Sequence, residues 1–402
     1  MSTSSSSTKR FVAGFFANGA IALASIVVAL LLAEGALRLL GFAYPNFWAP
    51  DRLTGTTLRP GMEGWQKDEG RAYVKINSRG LRDREHALAK PPGTYRIAIL
   101  GDSYAEAMQV DLERAFWALL PKRLGRCAFA GGRKVETLNF GVSGYGTSHE
   151  LLTLEERVWP YSPDMVLLAF FPGNDVRNNS KALEGEKGRA YFSLKDGKLL
   201  LDTAFREDAG FQEKERIAAH RAALQDLRLY QLLRRAKAGN IAQHFHNAPV
   251  AAALAAGARL TEPGVDEQVF REPADPKWRE AWEITDRLVV AADEETRRHN
   301  ARFVLAVLST PGSVYPDPQL RARYAQSLGV KSLFYPEGRL ERLGRQHRFE
   351  VIALAPRMQQ RADATHVFLH GFPNTKPGFG HWNEAGHALA AELIAAELCR
   401  QP

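Results

Sequence analysis

This 402-residue chain has only two cysteines, and the common sequence motifs of metal and nucleotide binding are absent. The two cysteines, Cys127 and Cys399, lie far apart, which excludes a dense disulfide framework and any cysteine-based metal motif. A single disulfide between them stays open. The sequence also has no HExxH helix, no CxxC pair, no Walker loop and no GxGxxG after its first predicted strand. We therefore predict no metal and no nucleotide cofactor.

Long runs of like charge are absent as well. The net charge of +8 and the sequence pI near 9.4 permit anionic partners. However, the basic residues are spread along the chain and form only short clusters, such as Arg234-Arg235 and Arg297-Arg298. This distribution argues against a nucleic-acid partner. The 45% apolar composition excludes a mostly disordered protein, and the length suits one large α/β domain with additional segments.

One long apolar run stands at the N-terminus. Phe11 to Ala33 gives 23 consecutive positions without a charge, enough to span a bilayer core of about 30 Å at about 1.5 Å per residue. A cleaved signal peptide is the alternative, because Ala22-Leu23-Ala24 offers an A-x-A cleavage site. The apolar region of a signal peptide is normally only about 7 to 15 residues long, so we expect an uncleaved transmembrane anchor.

The short N-terminal side of this run carries Lys9 and Arg10. Basic residues favour the cytoplasmic side of a membrane. We therefore predict a single-pass inner-membrane protein with residues 1–10 in the cytoplasm, an anchor at 11–33 and a periplasmic catalytic domain.

After the anchor, residues 41–92 are rich in Pro, Gly, Trp and Arg, and Ala72 to Asn77 alternates like a strand before a turn at Ser78-Arg79-Gly80. We expect a juxtamembrane segment that packs on the main domain, residues 93–402. In the main domain, short apolar runs alternate with helical patterns, which predicts a five-stranded parallel sheet between two helix layers, a three-layer α/β/α sandwich. The predicted strands are Arg96–Leu100, Val135–Phe140, Met165–Phe171, Phe303–Leu308 and Glu350–Leu354.

The alternation is interrupted at residues 176–275, after the third strand. The pattern predicts a hairpin over Ala190 to Leu201 and a long helix over Phe211 to Ala238, followed by Ala-rich sequence to Ala258. This insertion leaves the sheet edge at which α/β proteins bind ligands. It is either a lid that sets specificity or a peripheral helical decoration.

Four short motifs follow one another in a fixed order: Gly101-Asp102-Ser103, Asn139 to Gly144 (NFGVSG), Gly173-Asn174-Asp175, and His381 to His387 (HWNEAGH). Together they resemble the four sequence blocks of the SGNH, or GDSL, hydrolase superfamily, over about residues 94 to 400. The resemblance implies a flavodoxin-like fold and acyl-ester chemistry at an active-site Ser, Gly, Asn and His. Residues 76–83 (INSRGLRD) also resemble a stretch just upstream of GDS in membrane-anchored relatives, which implies association but no role.

The motifs suggest a role for each residue. A serine hydroxyl needs a base to become a nucleophile, and we expect His381 to be that base for Ser103. The histidine should lie on a loop, since Asn383 can cap the final helix. The resemblance further implies an oxyanion hole formed by the backbone N–H groups of Ser103 and Gly144 and the side chain of Asn174.

One position departs from the superfamily pattern. The usual acid stands three residues before the histidine, where this chain has Gly378. We therefore expect a Ser103–His381 dyad whose ring is oriented by a backbone carbonyl or by water, and an Asp at position 378 could then raise the rate. Glu384 is explained by the helix dipole.

The remaining ionisable residues of the motifs are expected to be structural. Asp102 belongs to the GDS turn, and His370 and His387 are expected to pack near the site rather than to react.

Three functions fit these features. The first is a serine esterase that acts on O-acyl groups of carbohydrates or envelope polymers, and the second is an O-acyltransferase that uses the same serine with a sugar hydroxyl as acceptor. The third is a catalytically weak glycan-binding protein of the SGNH fold, which the missing acid supports. The expected partners are an acyl-ester substrate, such as an O-acylated glycan, and the inner membrane.

Overall fold

The structure is a computed structural model that describes residues 4–242 and 264–400. It opens with helix α1 (Ser4–Leu39). By length and composition, Phe15–Leu39 of this helix can cross a membrane, and its apolar window is not buried in the rest of the protein.

Two antiparallel hairpins follow α1, and a parallel sheet forms the centre of the main domain. The hairpins are β1 (Trp48–Asp51) with β2 (Gly55–Leu58) and β3 (Glu63–Gln66) with β4 (Ala72–Lys75). The main strands are β5 (Thr94–Gly101), β6 (Lys134–Asn139), β7 (Met165–Phe170), β10 (Arg302–Val307) and β11 (Glu350–Ala353), and β8 (Tyr191–Lys195) pairs with β9 (Lys198–Asp202) as a separate hairpin.

All pairs in the central sheet are parallel, and the strand order is β11-β10-β7-β5-β6. This confirms the predicted five-stranded parallel sheet, with every strand within two residues of its expected limits. The first strand, β5, lies between the second and the third, which is the flavodoxin-like order. The order reverses at β5 and β7, so their carboxyl ends border the crevice in which such folds bind ligands.

Helices cover both faces of the sheet. The helices after α1 are α2 (Ser103–Glu106), α3 (Phe116–Leu124), α4 (Thr147–Thr153), α5 (Asp175–Asn178), α6 (Lys181–Glu184), α7 (Ala209–His220), α8 (Arg228–Ala242), α9 (Pro276–Arg298), α10 (Pro318–Ser327), α11 (Tyr335–His347), α12 (Ala355–Thr365) and α13 (Glu384–Leu398). Along β5, Ile97 and Ile99 pack on one side with α3, α12 and α13, whereas Ala98 and Leu100 pack on the other with α4, α9 and α11. Burial on both faces explains why the strands are continuous apolar runs.

The insertion is built differently from its prediction. The hairpin is present, but the single helix over Phe211 to Ala238 is wrong, because α7 ends at His220 and α8 begins at Arg228. The reason is a contact with α1: the Glu34 carboxylate accepts the backbone N–H groups of Arg228 and Leu229, both at 3.0 Å, and so caps α8. Residues 243–263, including most of the Ala-rich stretch, lie outside the described residues.

The N-terminal hairpins pack against the carboxyl edge of the central sheet. Leu58, Val74 and Ile76 form a buried cluster with Val142 and Tyr145 from the loop after β6. This packing brings the β3–β4 connection to the end of the sheet at which β5 and β7 finish.

The two cysteines form a disulfide, which resolves the alternative left open by the sequence. Cys127 and Cys399 are 272 residues apart in the chain, with Cα atoms at 5.9 Å. The bond joins the turn after α3 to the residue after α13, and therefore ties the end of the chain to the first helix of the sandwich.

Candidate active site

Ser103 stands at a sharp strand-to-helix turn. Strand β5 ends at Gly101, Asp102 caps the short helix α2 by accepting the N–H of Tyr104 at 2.9 Å, and Ser103 is the first helical residue. A Cβ at position 101 would lie 2.8 Å from the Cβ of Ala105, so the tight turn requires glycine. The turn leaves the serine half-buried at the carboxyl edge of the sheet.

His381 lies beside this serine, as the sequence predicts. Its Nε2 is 2.8 Å from Ser103 Oγ. The loop that carries the histidine is fixed by Asn383, whose Oδ1 accepts the N–H groups of Ala385 and Gly386, both at 3.0 Å, and thereby caps α13. The two residues are therefore placed for proton transfer between hydroxyl and imidazole.

Glu69 supplies the carboxylate that is absent at position 378. Its Oε2 lies 2.5 Å from His381 Nδ1, and its Oε1 accepts the backbone N–H of His381 at 2.7 Å. The expectation of a dyad oriented by a carbonyl or by water is therefore wrong. A serine, a histidine and a carboxylate are aligned here as in serine hydrolase triads, with the acid from the connection between β3 and β4.

The local structure around position 378 explains why the acid is not there. Gly378 has φ +85°, and a Cβ on it would lie 2.5 Å from a ring atom of Tyr315. Gly380 has φ +83°, and a Cβ there would lie 2.0 Å from Glu69 Oε1. The first glycine leaves no room for an acid, and the second leaves the space that Glu69 fills.

Asn374 holds the Glu69 segment in place. Its Oδ1 accepts the N–H of Gly70 at 3.0 Å, and its Nδ2 donates to the carbonyls of Lys67 and Gly70 at 3.0 and 2.9 Å. The loop before His381 therefore binds the segment that carries the acid. In the sequence, Glu69 is one of several acidic residues in a segment without an assigned role, and this signal is too weak to identify it as the acid.

The protonation of Glu69 suits an orienting acid. Burial raises its pKa, but the hydrogen bonds and charge of His381 outweigh burial, and the net pKa lies below the usual value. The ionised carboxylate accepts a hydrogen bond from Nδ1–H of His381. This bond favours the tautomer in which Nε2, the nitrogen beside Ser103, is unprotonated. The ring is then in the tautomer that can take the serine proton.

Two backbone N–H groups expected in the oxyanion hole are available. Neither Ser103 nor Gly144 donates its N–H to a partner within residues 4–242 and 264–400. Gly144 is exposed with φ +80°, and its carbonyl accepts from Arg189 Nη2 at 2.6 Å. Its loop is fixed to the serine strand where Val142 N–H donates to the carbonyl of Gly101 at 3.1 Å.

Asn174 lies at the same edge, at the start of α5 beyond the end of β7. Its side chain hydrogen-bonds Asp102, the residue before the serine. Burial raises the pKa of Asp102 to about 6, although the Tyr104 N–H, the charge of His381 and the Asn174 bond all act to lower it. Asp102 itself serves the turn, as expected.

Two further histidines of the C-terminal region, His370 and His387, pack beside the site. His370 is buried and joins the Ser309 hydroxyl, at 3.1 Å, to the Gly380 carbonyl, at 2.8 Å. His387 is also buried, and its Nδ1 accepts the N–H of Phe116 at 3.3 Å. Burial lowers the pKa of both to about 3, which keeps them neutral.

Carboxyl groups accumulate in the layer beneath the serine. Asp102, Glu150 and Asp175 are all buried. Burial and the mutual repulsion of these groups raise the pKa of Glu150 and Asp175 well above the usual values. Glu384, by contrast, pairs at the surface with Arg114 at 2.7 Å and is remote from the imidazole hydrogen bonds.

A cavity of about 520 Å³ borders the site at Gly144. Its walls are the first hairpin, the loop after β6, the Glu186–Arg189 loop and the helices α7 and α8 of the insertion. The insertion therefore lines a space that starts at one expected oxyanion donor.

No protein-family model matches the chain, and no curated protein matches it. Solved structures do resemble it. An acetyl xylan esterase, AlAXEase, has 12% identity and a TM-score of 0.36 over 75% of this chain and 98% of its own. A catalytic mutant of an acetylxylan esterase from Geobacillus stearothermophilus has 10% identity and a TM-score of 0.36, over 76% and 94%. A GDSL-like lipase from Bacteroides thetaiotaomicron has 12% identity and a TM-score of 0.34, over 79% and 93%.

Proposed function

We propose that this protein is a serine esterase of the SGNH type that removes ester-linked acyl groups through an acyl-serine intermediate. The observation that carries the proposal is the hydrogen-bonded series from Ser103 Oγ to His381 Nε2 at 2.8 Å and from His381 Nδ1 to Glu69 at 2.5 Å. A nucleophile, a base and an orienting acid in contact are the groups with which serine hydrolases carry out covalent acyl transfer.

The reaction uses these groups in two stages. His381 takes the proton of Ser103 as Oγ bonds to the ester carbonyl carbon, and Glu69 stabilises the imidazolium that forms. The oxyanion is bound by the N–H groups of Ser103 and Gly144 and by Asn174, each donor being worth about 3 kcal/mol in such sites. Collapse breaks the bond to the alcohol, which leaves with the proton from His381. In the second stage His381 takes a proton from water as the water oxygen bonds to the acyl carbon. The bond from that carbon to Ser103 Oγ then breaks, His381 returns the proton to Oγ, and the carboxylic acid leaves.

The location and substrate class belong to the same proposal. The apolar helix α1 and the Cys127–Cys399 disulfide support an anchored domain in an oxidising compartment, outside the inner membrane, since disulfides persist there. O-acylated carbohydrates or envelope polymers are the substrates that this location favours.

A second function, O-acyl transfer, uses the same acyl-enzyme with a sugar hydroxyl in place of water. The cavity that borders Gly144 favours it, because an acceptor chain bound there would approach the acyl group. The non-catalytic glycan-binding alternative loses its main support now that Glu69 fills the place of the missing acid.

Fluorophosphonate labelling of the full-length protein in detergent tests the proposal. Wild type should form the covalent adduct and hydrolyse 4-nitrophenyl acetate, whereas Ser103→Ala should do neither with an unchanged thermal transition. Ser193→Ala, which alters an exposed serine of the β8–β9 hairpin, is the matched control. Labelling or turnover that survives in Ser103→Ala would refute the mechanism. Acyl transfer measured with and without an oligosaccharide acceptor separates esterase from transferase.

A further inference from the structure

The cavity that borders Gly144 is strongly cationic. Among the residues that the structure describes, its lining contains a single carboxylate, Glu186, which is largely exposed and lies 3.6 Å from the Arg189 guanidinium. The same described lining contains five basic side chains: Arg59, Arg189, Lys214, Arg221 and Arg234.

Two of these arginines, Arg59 and Arg234, are half-buried, and Asp68, the ion-pair partner of Arg235, acts on Arg234 only through its charge. Arg59 Nε donates to the carbonyl of Trp48 at 2.9 Å, and Arg234 Nη2 donates to the carbonyl of Tyr44 at 2.7 Å. Neither forms an ion pair within the described part of the chain, and Arg234 Nε is buried without any hydrogen-bond partner there. Burial lowers the pKa of both groups. Taking a charge out of water without a counter-charge is costly, and a bound anion would offset that cost.

Aromatic residues share the lining with these arginines. Trp48 and Tyr230 are both half-buried in this lining. Flat rings pack against the apolar face of a sugar ring, while the planar guanidinium binds a carboxylate through two parallel hydrogen bonds. The combination fits a sugar that carries a carboxylate.

The position of the cavity links this ligand to the reaction. Gly144, the expected oxyanion donor, stands in the lining. The insertion contributes three of the basic residues: Lys214 from α7, Arg221 from the position after α7, and Arg234 from α8. A chain held between these walls therefore extends toward Ser103. The charges come from several walls of the space, which suits an extended polyanion better than one lipid headgroup with apolar tails.

We propose that this cavity binds a carboxylate-bearing oligosaccharide, with Arg59 and Arg234 on its carboxylates, so that the ester substrate, or the acyl acceptor, is an acidic glycan. This inference rests on the proposed function, since it names the substrate class of the same site.

The test compares three esters with the full-length protein in detergent: an O-acetylated oligouronate, an O-acetylated xylo-oligosaccharide and 4-nitrophenyl acetate. Wild type should prefer the oligouronate over the neutral oligosaccharide, and added salt should reduce that preference. Arg59→Gln and Arg234→Gln should each lower kcat/KM on the oligouronate by roughly ten- to hundredfold relative to 4-nitrophenyl acetate. Arg235→Gln is the matched control, because the adjacent Arg235 pairs with Asp68 and lies outside the lining. It should leave the ratio of the two activities unchanged.

Folding and catalysis are separated from binding by two further measurements. Lys214→Gln and Arg221→Gln remove exposed charges of the lining and should reduce the same preference even if Arg59→Gln fails to fold. Calorimetry with Ser103→Ala should detect binding of a non-acylated oligouronate, and adding Arg234→Gln to this variant should weaken that binding. Equal use of acidic and neutral glycans, or tighter binding of a short-chain phosphatidylglycerol than of oligouronate, would overturn the inference. Binding of oligouronate without hydrolysis of any ester would instead refute only the esterase.

Discussion

Glu69 and His381 are 312 residues apart in the chain, yet their side chains meet at 2.5 Å. The acid comes from the connection between β3 and β4, and the histidine comes from the loop before the last helix. The N-terminal hairpins are therefore part of the candidate active site rather than a peripheral addition to the main domain. A fragment that started at the first strand of the sandwich would contain Ser103 and lack the acid.

The first prediction concerns this carboxylate. In Glu69→Gln the amide cannot stabilise the imidazolium and can hold the ring in the wrong tautomer, so kcat on 4-nitrophenyl acetate should fall by about 10⁴, as in a serine protease triad. Glu63→Gln, which changes an exposed acid on the preceding strand, should have little effect. Steady-state kinetics and thermal unfolding of both variants provide the check. Turnover near that of wild type in folded Glu69→Gln would show that Glu69 is not required and that Ser103 and His381 act as a dyad.

The second prediction concerns Gly380. A Cβ there would lie 2.0 Å from Glu69 Oε1, so Gly380→Ala should displace the carboxylate and reduce turnover by at least about tenfold. Gly132→Ala is the matched control, because Gly132 has a similar φ of +78° and open space around it. Both variants carry the same strain of about 1 kcal/mol from the left-handed backbone. If the two lose activity equally, the space over Gly380 is unimportant.

The sequence was sufficient for the sheet but not for the acid. Strands such as Met165–Phe170 are buried on both faces, so their apolar runs identify them without knowledge of their neighbours. The position of Glu69 depends on how two distant loops pack through Asn374, which no local pattern encodes. The break between α7 and α8 has a similar cause, since the cap comes from Glu34 on the N-terminal helix.

The third prediction concerns the disulfide. The bond closes a loop of 272 residues, so its loss should lower the free energy of unfolding by about 2–4 kcal/mol. Urea unfolding of wild type with and without reductant measures this, and reductant should have no effect on a Cys127→Ala/Cys399→Ala double variant. Thiol titration of the denatured, unreduced protein should find no free cysteine. Two titratable thiols in protein isolated without reductant would contradict the assignment.

The last prediction concerns Glu150, whose carboxyl oxygens are buried without a hydrogen-bond partner in the described residues. Burial and the charge of Asp102 raise its pKa in the folded protein well above the value of 4.5 expected when unfolded. The folded protein tolerates Glu150 as the neutral acid. The contribution of Glu150 to the free energy of unfolding is therefore at its full value below pH 4.5, and it decreases as the pH rises toward the folded-state pKa of Glu150. Glu150→Gln keeps the shape and cannot ionise. The free energy of unfolding of the variant minus that of wild type should therefore increase above pH 4.5, by up to about 1.4 kcal/mol per pH unit. Urea unfolding from pH 5 to pH 8 measures the difference, with the exposed Glu156→Gln as the control for removing a charge. A difference that is independent of pH would mean that Glu150 is already ionised in the folded state and has a partner that stabilises its charge.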